Sequence, residues 1–358
     1  MQTRRALTAA LTAAALALSL LLFIAIASTK PRVPASGGVS YTIPTLAGAA
    51  NNLADGLDLA VNIGAGPNKS VEIDTGSLGL VVARSAIGPK AVDTGKKGYI
   101  EYTSSGKILS GEYFIASVTF QRPQAAVTTI PIRILGVTSS SCASGYHSCT
   151  PDDDINRIGM LGVGYSEYAK TDSPAPTAAD NPFLQLTAMH DGIARPGYII
   201  TRNNVTLGLT PNERASFHTT RLAKALPPNG TGARIWSMPG CFAIPDYGDH
   251  AHCGSILFDT GISRMIVGLP AAERPTALAT AIRNRTRIRI DIPSLTHPAF
   301  GYITSVGDPS EPIAPQGEPA ASWAADTAFV NTGRELLAEY DYAYDAPSHR
   351  AGFRSDPE

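Results

Sequence analysis

The sequence predicts a mostly β protein with few short helices, built as two halves. Three observations carry this: short runs with alternating apolar residues recur every ten residues or so, 33 Gly and 27 Pro supply frequent turns, and helical periodicity is scarce along the 358 residues. The runs are, in order, LDLAVNI (with Leu57, Leu59, Val61 and Ile63 on one face), SVEI, GLVV, GYIEY, GEYFIASVTF and TTIPIRIL. Period-two alternation presents one face of a strand to a core, and the β-branched and aromatic content favours the same state. The best helical candidates are NPFLQLTAMHDG, with Pro182 near its start and Gly192 near its end, PAAERPTALATAIRN and RELLAEY. The length suffices for two substantial lobes.

The N-terminus is set apart from this pattern. MQTRR carries two positive charges, the stretch from Ala6 to Ala27 is apolar or small throughout, and Ala25-Ile26-Ala27 offers a small-x-small cleavage site. Residues 1–28 therefore read as a secretory signal peptide or, because about 20 apolar residues can span a bilayer, as an uncleaved signal anchor. Either one exports the rest of the chain to a secreted, extracellular or cell-surface location, and Arg4-Arg5 adds a weak hint of twin-arginine export. A Pro/Gly/Ser linker, residues 29–40, leads into the folded part. No other segment calls for a membrane. With 16% charged residues and a net charge of -1, nothing resembles the basic footprint of a nucleic-acid binder.

Four cysteines fall as two local pairs, Cys142 with Cys149 and Cys241 with Cys253, which an exported chain is expected to close as disulfides. Zinc is the alternative, since His147, His250 and His252 lie nearby, but the spacings match no common metal pattern, and no metal site is assigned. Sequons at Asn68, Asn204, Asn229 and Asn284 can carry glycans if the source is a eukaryote.

The stretch VEIDTGSLGLVV places Asp74 between two apolar runs, where an ionised carboxylate is costly unless paired or neutralised. Its counterpart is Asp259 in SILFDTGISRMIVGLP, a second apolar-apolar-Asp-Thr-Gly turn 185 residues on, so that each half owns one copy. A third DTG, at Asp93, is followed by two lysines and no apolar run, and reads as a solvated turn.

With these segments the chain resembles the pepsin-like aspartic proteases, the single-chain, two-lobed family. IGAGPNKSVEIDTGS resembles the family's first strand pair and catalytic turn, and YIEYTSSGKILSGEYFIASVTF its flap hairpin. RIGMLGVGY resembles the segment crossing behind the first aspartate, and NPFLQLTAMHDGIARPGYIITRN the close of the first lobe. AFVNTGRELLAEYDYAYDAPSHRAGF resembles the crossing segment and last strands of the second lobe, so the match runs from about Leu57 to Phe353. The resemblance implies a pepsin-like acid protease fold with a central cleft, an N-terminal lobe over 41–200 and a C-terminal lobe over 201–358. It implies Asp74 and Asp259 as the catalytic pair, with Thr75, Gly76, Ser77, Thr260 and Gly261 in support and Tyr102 on the flap. A monomer is expected, with an extended polypeptide as substrate and no cofactor.

The chemistry follows from the residues. Two carboxyls within hydrogen-bond distance cannot both ionise, so the pair holds one shared proton at mildly acidic pH, and the aspartic protease dyad is itself the standard case of this effect. The ionised member can take a proton from a water while the protonated member donates to the scissile carbonyl. Gly after each Asp-Thr permits a tight turn whose amides donate to the carboxylate.

Several positions depart from the family pattern. Ile262 stands where a Thr or Ser matching Ser77 is usual, and Arg264 replaces an apolar residue. Glu72 lies two residues before Asp74 and so faces the same side of its strand, and an ion pair between Glu72 and Arg264 would reconcile both oddities. Val81 replaces the tryptophan that supports the flap tyrosine, two extra residues before Gly111 lengthen the flap tip, and Asn331-Thr332-Gly333 is more polar than the usual second crossing segment. No long basic pro-segment precedes the fold. These departures sustain a second reading beside acid-favoured endopeptidase: a weak or inactive binding or inhibitor protein on the same fold, like the plant xylanase-inhibitor proteins.

Overall fold

The computed structural model describes residues 38–46, 53–165, 170–171, 176–226, 235–248, 250–273, 282, 284–315, 320–321 and 325–356. The export segment and most of the linker lie outside these residues. Among the described residues no helix is long and apolar enough to cross a membrane.

The protein is mostly β and two-lobed, with three sheets. A ten-stranded sheet belongs to the first half and an eight-stranded one to the second. A six-stranded antiparallel sheet joins them, in the order Tyr41–Pro44, Asn204–Leu207, Gly197–Ile200, Tyr340–Asp345, Arg350–Ser355, His218–Arg221. Its seam is the pairing of Gly197–Ile200 with Tyr340–Asp345, pinned by a two-pronged contact from Arg195 to Asp345 at 2.9 and 3.1 Å. Most predicted runs form strands, Asp58–Ile63, Asn68–Asp74, Leu78–Ala83, Val92–Tyr102, Lys107–Ala116 and Val118–Phe120, whereas TTIPIRIL is divided between the ends of Val127–Thr128 and Ile132–Cys142. In Asp58–Ile63, Leu59, Val61 and Ile63 point inward and are fully buried, as the alternation requires.

The helical candidates are shorter than their patterns. NPFLQLTAMHDG breaks into a 3-10 turn, Pro182–Leu184, and a single α turn, Thr187–His190. Asn181 caps the first of these through the Phe183 amide, and Gly192, at φ +74°, ends the segment. RELLAEY forms a 3-10 turn, Glu335–Ala338. PAAERPTALATAIRN shows only Ala271–Glu273 as a 3-10 turn, and most of the remainder lies outside the described residues.

The core under the seam is aromatic. Phe120, Phe183, Tyr198, Tyr342, Phe258 and Phe353 form a chain of ring contacts with centroids 4.8–6.3 Å apart, running from one lobe into the other. Each such pair adds about 0.5–1.5 kcal/mol beyond the area it buries. Phe258 directly precedes Asp259, so this packing also fixes the floor on which the second aspartate stands.

Both halves repeat one three-strand arrangement. In the first, strand Gly159–Val163 lies between Asn68–Asp74, to which it is parallel, and Leu78–Ala83, to which it is antiparallel. In the second, Phe329–Asn331 lies in the same way between His252–Leu257 and Ile266–Gly268. The registers correspond: Met160 sits opposite Glu72 and Val81, and Asn331 sits opposite Leu257 and Ile266. Each DTG turn therefore leaves the end of a buried strand with a third strand behind it.

The cysteines close as disulfides, Cys142–Cys149 and Cys241–Cys253, which removes the thiolates that zinc would need.

Candidate active site

All three DTG turns make the same local bond, from the glycine amide back to the aspartate Oδ1: 2.7 Å at Asp74, 2.8 Å at Asp93 and 2.9 Å at Asp259. What separates them is tertiary position. Asp93 is exposed on a bulge in the hairpin, whereas Asp74 and Asp259 are 4% and 6% exposed and face each other closely enough that the charge of one acts on the other.

Two threonines lock the turns together. The Thr75 amide donates to Thr260 Oγ1 at 3.1 Å and the Thr260 amide donates to Thr75 Oγ1 at 3.0 Å. Each hydroxyl then donates across the lobe boundary to a strand carbonyl, Thr75 to Phe258 O at 2.6 Å and Thr260 to Ile73 O at 2.7 Å. This closed set of four bonds satisfies every polar group involved in a dry setting, where an orphaned group would be costly.

The glycines serve a purpose beyond a tight turn. Neither Gly76 nor Gly261 has a positive φ. A Cβ on Gly76 would lie 2.5 Å from Asp259 Cγ, and one on Gly261 would lie 2.7 Å from Asp74 Oδ1. Each glycine leaves the space that the opposite carboxyl occupies.

Asp74 accepts from Gly76 N and from the Ser77 hydroxyl in a very short contact. Burial pushes its carboxyl well above the usual carboxylate range, and the negative charge of Asp259 pushes the same way, against the lowering effect of the Ser77 bond. Asp259 accepts from Gly261 N at 2.9 Å and from Asn331 Nδ2 at 2.7 Å.

Tyr102 ends the strand that leads to the hairpin tip and packs against Val81, Ile100, Leu109 and their neighbours. Its hydroxyl is buried close to Ser77. Burial first, then the charges of Asp74 and Glu72, hold this phenol far above its ordinary value against a smaller lowering effect from Ser77, so it stays neutral. The tip is tied to the Cys142–Cys149 loop: Tyr146 donates to Thr103 O at 2.9 Å and the Ala143 amide to Gly106 O at 2.8 Å.

The expected pair between Glu72 and Arg264 is not formed. Arg264 is exposed, and Glu72 pairs instead with Arg334 at 2.5 Å, across the lobes. Strand alternation does turn Glu72 inward, but the cation that meets it comes from the segment following Asn331, 262 residues away. Gly56, at φ +96°, lets the backbone pass over this pair, since a Cβ there would lie 2.8 Å from Glu72 Oε1. Arg334 and Asn331 are the site residues that the sequence reading did not assign; the unusual polarity of Asn331-Thr332-Gly333 was their signal.

Compared with solved structures, the chain matches the crystal structure of the aspartic proteinase from Irpex lacteus with a TM-score of 0.57, at 14% identity, over 89% of this chain and 98% of that one. The fold is that of an aspartic proteinase. No family model matches the chain, and no curated protein matches it in sequence.

Proposed function

We propose that the chain is an exported aspartic endopeptidase that hydrolyses extended polypeptides under acid conditions. The observation that carries this reading is the buried carboxyl pair of Asp74 and Asp259, each set against the opposite turn's glycine, with the threonine lattice beneath it. One proton on the pair makes it an acid and a base together. The ionised carboxylate takes a proton from a water whose oxygen attacks the scissile carbonyl carbon, and the protonated carboxyl donates to the carbonyl oxygen. A tetrahedral diol results, and it collapses as the amide nitrogen takes a proton and leaves. Tyr102 donates over the site from the hairpin, and a substrate strand lies between hairpin and floor. The two disulfides fit an extracellular destination.

Ile262 favours a second reading, a binding or inhibitor protein on this fold, because it withholds one hydroxyl from the second aspartate. Digestion of an unfolded protein from about pH 3 to 7, with Asp74→Asn and a statine peptide as controls, separates the two. Acid-favoured cleavage abolished by both controls is expected; a folded protein that cleaves nothing at any pH supports the binding protein instead.

A further inference from the structure

The two halves supply their aspartates with outer donors from different places. Three residues after Asp74 stands Ser77, whose hydroxyl donates to Asp74 Oδ2, while the third-strand position behind that turn holds Met160, which has no donor. Three residues after Asp259 stands Ile262, which has no donor, while the equivalent third-strand position holds Asn331, whose amide donates to Asp259 Oδ2 at 2.7 Å. The registers that relate Met160 and Asn331 agree on both sides, so this is one structural position filled in two ways.

The orientation of the Asn331 amide is determined by its other end. Its Oδ1 accepts from the Gly333 amide at 3.0 Å, and a flipped amide would set NH2 against N–H and carbonyl against carboxylate. Gly333 reaches this position at φ +67°, with a Cβ excluded by Arg264 O at 2.9 Å. Asn331 is 4% exposed, so its amide has no water to turn to. The consequence is an asymmetry. Asp259 receives outer bonds only from N–H groups, which cannot accept a proton in return, whereas Asp74 receives one from a hydroxyl that can rotate and accept.

We propose that Asn331 is a positioning residue for the hydrolysis, supplying the donor that Ile262 lacks and biasing the single charge of the pair onto Asp259, with Asp74 carrying the proton. This deepens the endopeptidase reading and rests on it. Asp259 is then the base toward water and Asp74 the acid toward the carbonyl. The other ionisable groups around Asp259 are Asp74 opposite and Glu72 with its partner Arg334; the Tyr102 phenol interacts with Asp74 and Glu72, and Arg264 is exposed. None of these is altered by a change at Asn331.

The test uses the full chain as wild type, Asn331→Leu, and Asn331→Leu with Ile262→Thr. Two readouts are followed, the pH dependence of kcat/KM on a peptide substrate and the titration of 13C-labelled aspartate carboxyls by NMR, which needs no turnover. Loss of a charge-assisted donor raises the pH at which Asp259 ionises, so the acid limb and the Asp259 titration move up by about one to two pH units in Asn331→Leu. Ile262→Thr returns a hydroxyl and moves them back. Unmoved curves in folded Asn331→Leu, or a wild-type charge that resides on Asp74, overturn the proposal. Should Asn331→Leu fail to fold, Asn331→Ser is titrated in its place, with an upward shift expected and an unmoved curve again fatal. A wild type that cleaves nothing ends the endopeptidase reading, while the NMR titration still decides the role of Asn331.

Discussion

Thr260→Val tests the link between the lobes and the site. The substitution keeps shape but deletes the hydroxyl that accepts from the Thr75 amide at 3.1 Å and donates to Ile73 O at 2.7 Å. Thr260 is fully buried and Thr75 is 2% exposed, so both orphaned backbone groups stay dry. At roughly 1–3 kcal/mol for each buried unsatisfied group, the variant loses about 2–6 kcal/mol, a large part of the 5–15 typical of a folded domain. Thr260→Ser retains the oxygen and recovers most of the loss. Thr75→Val leaves the mirror-image pair orphaned, the Thr260 amide and Phe258 O, and costs a similar amount. Urea midpoints at constant m-value measure both effects. If Thr260→Val lies within about 0.5 kcal/mol of wild type, an ordinary surface-like effect, the lattice does not hold the lobes and the reasoning fails.

Three further outcomes follow from the geometry. Gly76→Ala forces a Cβ to 2.5 Å from Asp259 Cγ, so peptide cleavage falls at least 100-fold or so while circular dichroism stays native; retained activity would show that the carboxyls need not sit so close. Arg334→Met strands the Glu72 carboxylate near Asp259 and costs about 1–3 kcal/mol, discounted because the Glu72 side chain is 28% exposed, and Glu72→Gln in that background recovers part of it; purely additive costs would dismiss the pair. Burial raises Glu335 from 4.5 to about 7, so its contribution is present below pH 4.5 and is lost as pH rises through 7. Wild type should therefore lose about 1–2 kcal/mol relative to Glu335→Gln over that window, after allowance for partial solvation, and parallel stability curves would contradict this.

What could be read ahead of the structure was local or periodic. The alternation of Leu57, Leu59, Val61 and Ile63 marks a buried strand face whatever lies opposite, and the apolar runs flanking Asp74 and Asp259 set those turns apart from Asp93, although all three make the same amide-to-carboxylate bond. The disulfide pairs were close enough in sequence to be inferred. Bonds between distant segments were not. Strand alternation marks Glu72 as an inward charge, but its cation is Arg334, near the dyad in space, and not Arg264, near it in sequence. Asn331 reads as mere polarity until strand register sets it beside Asp259. Pro182 and Gly192 did mark helical turns, but the Asn181 cap and tertiary packing divide the segment into pieces too short for its pattern.

The most direct test of the central claim is kcat/KM for a fluorogenic peptide at about pH 4.5, within the range where a carboxyl pair shares one proton, comparing wild type with Asp74→Asn and Asp259→Asn. The account predicts turnover by wild type and a loss of 100-fold to 10,000-fold or so in each variant, the range expected when a general acid or base is removed. A folded wild type without turnover, or either variant with near wild-type rates, would contradict it.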